Sequence, residues 1–141
     1  MAEECCEPGG KVMILACSGA SNVGQIANQA AVELTREGFG KMYCLAGIGG
    51  QLSGFVQSAK DVPEMVAIDG CSVGCAKAIL ENADVTVKSY VMVTNLGIKK
   101  SHDFDLQEKG TRMVKEAVRH ACAQFRPARS VSTAPKCCCS S

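Results

Sequence analysis

Ten cysteines in 141 residues are the part of this chain best suited to chemistry. Four of them, Cys17, Cys44, Cys71 and Cys75, are spread between residues 17 and 75, each close behind an apolar run. Thiolates bind soft and borderline ions, and four of them suit a tetrahedral zinc site with Zn–S distances of about 2.3 Å. The same donors suit an iron–sulfur cluster or Cu(I). Cys71 and Cys75 form a C-x-x-x-C pair, and if residues 72–75 are helical their thiols stack on one helix face and chelate a single ion. A helix N-terminus and nearby peptide N–H groups favour the thiolate that a metal needs. Sulfurs sharing one ion are expected within about 4 Å of each other. Taken singly, each of these residues also reads as a small buried side chain, since free cysteine is among the most buried residue types.

The segment Cys17-Ser-Gly-Ala-Ser-Asn-Val-Gly24 carries a second possible chemistry. A loop of this kind, leading into a helix, presents backbone N–H groups to an anion. It resembles the loops of low-molecular-weight phosphatases and arsenate reductases, and the phospho-cysteine loop of sugar-phosphotransferase IIB domains. The first resemblance implies an Arg six residues after the cysteine, where this chain has Val23. In this reading Cys17 is the nucleophile of a redox or phosphoryl-transfer enzyme. No general base stands beside it, and the chain has two histidines, so a binding module is favoured over an enzyme.

Other polar residues have plainer readings. Asp69, before Gly70-Cys71, accepts loop N–H groups in an Asx turn or tunes the site from behind. Gly47-Ile-Gly-Gly50 lacks the spacing of a dinucleotide fingerprint and reads as a tight turn. His102 and Asp103 lie in a loop that can approach the cysteine edge but reads as solvated. His120 reads as surface and Cys122 as core. Cys5-Cys6 and Cys137-Cys-Cys139 lie in tails, where vicinal thiols take Cu(I), Hg(II) or As(III) or simply oxidise.

The elements that must position these groups alternate along the chain. Val12–Ala16 is a continuous apolar run, as expected of a strand covered on both faces. A helix follows, with Ile26, Ala27, Ala30, Ala31 and Leu34 on one side, Ser21 or Asn22 as its N-cap, and Gly38 at its end. Lys41–Ala46 reads as the second strand, and Leu52, Phe55, Val56 and Ala59 mark a short helix that Pro63 ends. Met65–Ile68 is the third strand, followed by a helix around Val73–Asn82. Tyr90–Val93 is the fourth strand, with a possible start near Val85. A final helix runs from about Leu106 to Phe125. The expected fold is one small doubly wound α/β domain, a mainly parallel four-stranded sheet with helices on both faces, in the Rossmann or flavodoxin manner. Such sheets gather function at the carboxyl ends of their strands. Cys17, Cys44, Cys71 and Cys75 all fall at that edge, although strand alternation leaves the direction of Cys44 open.

Composition limits the remaining possibilities. The chain is 47% hydrophobic and 21% charged, with a net charge of +1 and no long basic block, so neither nucleic acid nor an acidic membrane surface is an expected partner. No apolar stretch reaches the roughly 18 to 20 residues needed to cross a bilayer. The acidic N-terminus lacks the basic region of a secretory signal, so a cytoplasmic location is expected. In that compartment clustered cysteines point to metal or redox chemistry rather than to a disulfide framework. Residues 1–10 and 127–141 read as flexible tails, the second cysteine-rich, around a domain at 11–126.

At Asp69-Gly-Cys71 the chain resembles the DGC-domain family of small zinc-binding proteins. The similarity extends over about residues 12–126, through Cys17-Ser-Gly with Ser21-Asn-Val-Gly24, Cys44 with Gly47-Ile-Gly-Gly50, Cys75, and Thr94-Asn-Leu-Gly-Ile-Lys99. Asn95 stands where the family suggests an acidic residue. The resemblance implies zinc held by Cys17, Cys44, Cys71 and Cys75, in a role such as metal sensing, storage or transfer. It leaves the protein partner unidentified and the tail cysteines outside the family pattern.

Overall fold

The computed structural model describes residues 12–124; the tail cysteines and Phe125 lie outside them. Four strands form one parallel sheet: β1 (Val12–Ala16), β2 (Gly40–Met42), β3 (Met65–Asp69) and β4 (Ser89–Met92), in the order β2-β1-β3-β4. Five helices connect and cover them: α1 (Asn22–Arg36), α2 (Leu45–Gly49), α3 (Ser53–Asp61), α4 (Cys75–Asn82) and α5 (Glu108–Ala123). A 3-10 turn over Val93–Leu96 leads away from β4. The doubly wound parallel α/β fold expected from the alternation is present.

The apolar patterns explain the layering. β1 and β3 are buried at every residue, as central strands covered on both faces must be. β4, at the sheet edge, alternates buried and half-buried positions. On one face, Ile14, Val66, Ile68 and Val91 meet Ile26, Ala30 and Leu34 of α1 and Val114 and Val118 of α5. On the other, Leu15, Met65 and Ala67 meet Ile48 of α2, Ala59 of α3 and Leu80 of α4. Each fully buried aliphatic side chain of this size contributes about 1.5–3 kcal/mol. Cys122 is buried and His120 exposed, as their places in α5 suggest. Among the described residues no helix is long and apolar enough to cross a membrane.

Three local departures from the sequence reading affect the site. The second strand stops at Met42 instead of reaching Ala46, and Leu45–Gly49 forms a short helix where a tight turn was expected. Leu45 and Ile48 are buried in that helix, and the Phe55 ring packs against Gly47 so closely that a Cβ there would lie 2.6 Å from it. Cys44 therefore occupies the N-cap position of α2, outside the sheet. The fourth helix begins at Cys75 rather than near Val73, with Cys71–Gly74 closed as a turn by Gly74 N–H donating to Cys71 O at 3.1 Å. The C-x-x-x-C pair thus spans a turn and does not stack on one helix face. The fourth strand starts at Ser89, not near Val85.

Candidate metal centre

Strand order places the site. The chain leaves β1 toward β2 on one side and returns across the sheet to β3 on the other, so a crevice opens between the carboxyl ends of β1 and β3. Cys17 follows β1 directly, and Asp69-Gly70-Cys71 closes β3. Cys17 N–H donates to Ile68 O at 3.0 Å, and Gly70 N–H donates to Cys17 Sγ at 3.3 Å. A cavity of about 270 Å³ at this point is bordered by Cys17, Cys71, Cys75, Asp69, Lys100 and His102, among others.

Asp69-Gly70-Cys71 divides its work among its residues. Asp69 is 1% exposed, and its carboxylate accepts from Ala76 N–H at 2.8 Å, Lys77 N–H at 3.1 Å and the Tyr90 hydroxyl at 2.8 Å. It caps α4 from the end of a neighbouring strand, satisfying first-turn donors that no side chain at Gly74 can reach. Burial and the bond to Asp69 push the Tyr90 hydroxyl well above its ordinary value. Gly70 lies against the start of α1, where an added Cβ would meet Gly24 N at 2.7 Å and Val23 C at 2.8 Å. Cys71 then reaches the cavity edge, half-buried, with Lys100 Nζ donating to its sulfur at 3.4 Å.

Lys100 is the site residue that sequence reasoning missed. Asn22, at the first turn of α1, brings it there. Its Nδ2 donates to Lys99 O at 2.8 Å, its Oδ1 accepts from Ser101 N–H at 2.6 Å, and its backbone N–H donates to Ser101 O at 3.0 Å. These bonds hold residues 99–101 over the crevice and leave His102, exposed in its loop as expected, among the residues that border it. Lys99 and Lys100, following the fourth strand, were the available signal.

The Cys17 loop is itself tightly held. Ser21 Oγ caps α1 by accepting from Gly24 N–H at 3.2 Å, and Gln25 Nε2 donates to Gly19 O at 3.0 Å. The thiol nevertheless titrates above its ordinary value of 9.0. Burial is the main cause, with the nearby Asp69 and Cys75 charges adding to it. The N–H groups of Gly19 and Gly70 pull the other way and do not prevail. At Cys17 the peptide N–H groups favour the thiolate, but desolvation outweighs them.

This shift has a consequence for stability. The folded thiol ionises at higher pH than the unfolded one, so its contribution is complete below pH 9.0 and is lost as pH rises through the folded value. Under reducing conditions the urea midpoint is expected to fall as pH increases above about 9. It should fall less in Cys17→Ser, measured by circular dichroism; equal losses in both proteins would rule out Cys17 as the source.

The fourth thiol lies apart. Cys44 is exposed and lines a neighbouring cavity of about 310 Å³ with Cys17, Met42 and Tyr43. The Tyr43 ring lies 5.5 Å from that of Phe55, tilted against it. Cys17 thus borders both cavities, with Cys71 and Cys75 on one side and Cys44 on the other. Among the described residues, no three His, Cys, Asp or Glu side chains stand close enough together to hold a metal ion. The expected separation of about 4 Å is therefore not met. The donor chemistry still fits a soft ion: three thiols and an imidazole border one cavity, with a fourth thiol beyond Cys17.

Comparison with known proteins agrees with the motif. The DGC domain family matches residues 13–119. A similar protein is the anaerobic and virulence modulator AnvM of Pseudomonas aeruginosa, 35% identical over 95 residues that cover 67% of this chain and 72% of the relative. No solved structure matches.

Proposed function

The chain belongs to the DGC domain family, and from that premise we propose that it binds a soft metal ion, zinc in the first instance, through Cys17, Cys71 and Cys75, with Cys44 as the fourth thiolate. The observation that carries this reading is that Cys17 borders one cavity with Cys71 and Cys75 and the next with Cys44. Binding requires the sulfurs to draw together from the positions they hold here, through the Cys71–Gly74 turn and the residues before α2. Four thiolates around a divalent ion carry a net double negative charge, and the Lys100 ammonium beside Cys71 offsets part of it. Each thiol gives up a proton as it binds, so affinity rises with pH. The name of the Pseudomonas relative describes a modulator, which favours metal sensing over storage as the use of such a site.

The test uses the full-length reduced protein with Cys5, Cys6, Cys137, Cys138 and Cys139 changed to serine, so that tail thiols do not contribute. One equivalent of Zn²⁺ is expected to bind and to protect Cys17, Cys44, Cys71 and Cys75 from alkylation until a chelator is added. Protein purified anaerobically without metal, with one hyper-reactive thiol at Cys17, would instead support the cysteine-enzyme alternative. Copper by mass spectrometry would identify Cu(I), and a brown colour an iron–sulfur cluster.

A further inference from the structure

The two edges of the sheet are finished differently. β2 is three residues long and carries the exposed Lys41, two features that discourage a further strand. β4, Ser89-Tyr-Val-Met92, has no charge and no proline, and among the described residues no strand pairs with its outer side. The lysine before it does not guard that side, because Lys88 Nζ turns back to donate to the Val62 and Pro63 carbonyls. Register shows which backbone groups are left over. Met13 N–H donates to Glu64 O and Cys17 N–H to Ile68 O, so Glu64 and Ile68 face β1, while Ala67 and Asp69 face β4. Ala67 lies opposite Tyr90 and Asp69 opposite Met92. In a parallel pair each such residue bonds the two neighbours of the one opposite it. The N–H and carbonyl groups of Tyr90 and Met92 therefore point away from the sheet. Beside them, Lys77 and Glu81, one turn apart on α4, border a groove along Tyr90 and Met92. Both charges are exposed and neither makes an ion pair among the described residues; the Lys77 ammonium sits over the Tyr90 ring, 5.7 Å from its centre.

We infer that β4 pairs with β4 of a second copy of this chain, antiparallel about a two-fold axis at Val91, so that one sheet runs through both copies. Tyr90 then lies opposite Met92 of the second copy. This register keeps every side chain on its own face of the sheet and lets the outward N–H and carbonyl groups of both residues bond across the axis. The Met92 thioether meets the Tyr90 ring of the other copy. The same rotation sets the two α4 helices side by side and antiparallel, and turns Lys77 of each copy toward Glu81 of the other. A second copy supplies both opposite charges at once, which selects it over an unrelated strand. The inference does not depend on the metal-binding reading.

The experiment is sedimentation equilibrium of the full-length protein, with reductant and chelator present so that neither disulfides nor metal link the copies. The parent is expected to sediment at twice the 14.8 kDa mass of the chain. Glu81→Lys and Lys77→Glu each bring like charges together twice per dimer, and each should weaken association about tenfold. The double swap Lys77→Glu/Glu81→Lys restores both pairs and should return the dimer. Hydrogen exchange should find the Tyr90 and Met92 amides protected in the parent dimer and released in Glu81→Lys. A monomeric parent would overturn the inference. So would a dimer that neither single variant weakens, a double swap no tighter than the singles, or free exchange at Tyr90 and Met92 in the dimer. Both positions are exposed and each new charge suits the end of α4 it joins, so the variants keep the fold, which circular dichroism checks.

Discussion

Asp69→Ala is expected to destabilise the domain by about 3 kcal/mol and to lower Tm by about 10 °C. Three donors converge on this carboxylate, and they do not suffer equally when it is removed. Ala76 is fully buried, so its N–H is left without water, at a cost of about 1–3 kcal/mol. Lys77 and Tyr90 are more exposed, and water replaces part of what their N–H and hydroxyl lose. Losing the cap on α4 adds about 1 kcal/mol, and relief of the buried charge offsets some of the total. Asp69→Asn should fall between the two proteins, because its amide oxygen can accept from Ala76 while its NH₂ cannot accept from Lys77. Chemical denaturation gives the energies, and hydrogen exchange at the Ala76 and Lys77 amides gives the location. Unchanged protection at those amides in Asp69→Ala would show that the carboxylate does not cap the helix.

The sequence disclosed its long, strongly patterned elements and concealed those made by distant contacts. β1 and β3 were legible because unbroken apolar runs of strand length fit strands covered on both faces. α1 was legible from its apolar period and from Ser21 as its cap. α2 was not, because a five-residue helix containing two glycines has little propensity of its own. It exists because Leu45 and Ile48 are buried and Phe55 closes over Gly47, and only the folded chain supplies those contacts. That one error moved Cys44 from a strand end to a helix start, into a different cavity from Cys71 and Cys75. Lys100 was hidden for a related reason, since it is brought to Cys71 by bonds from Asn22, nearly eighty residues earlier. Asp69 was read as a loop residue because its helix partners are seven and eight positions away, farther than an Asx turn reaches.

Gly70→Ala is expected to cost about 3 kcal/mol and, unlike most surface-loop changes, to expose the Cys17 thiol as well. The three atoms nearest the added Cβ are Gly24 N at 2.7 Å, Val23 C at 2.8 Å and Gly24 Cα at 3.0 Å. All three are backbone, so no rotamer change relieves the overlap, and the end of β3 must move away from the first turn of α1. That movement stretches two bonds made by Gly70 itself, its N–H to Cys17 Sγ at 3.3 Å and its carbonyl to Thr94 N–H at 3.1 Å. It also widens the crevice that keeps Cys17 half-buried, and desolvation is the main cause of that thiol's raised titration. Cys17 should therefore ionise at lower pH in Gly70→Ala, and its alkylation at fixed pH should quicken while the fold persists. The loss of the Gly70 N–H bond pulls the other way, but it is the smaller influence at this sulfur. Gly54→Ala supplies the control, because nothing lies within 4 Å of its added Cβ; helix propensity predicts no loss there and a gain of up to about 1 kcal/mol. Mass-resolved alkylation of Cys17 across a pH series, run beside urea denaturation, separates the two effects. An unchanged midpoint in Gly70→Ala would mean that β3 and α1 do not meet as closely as these distances require.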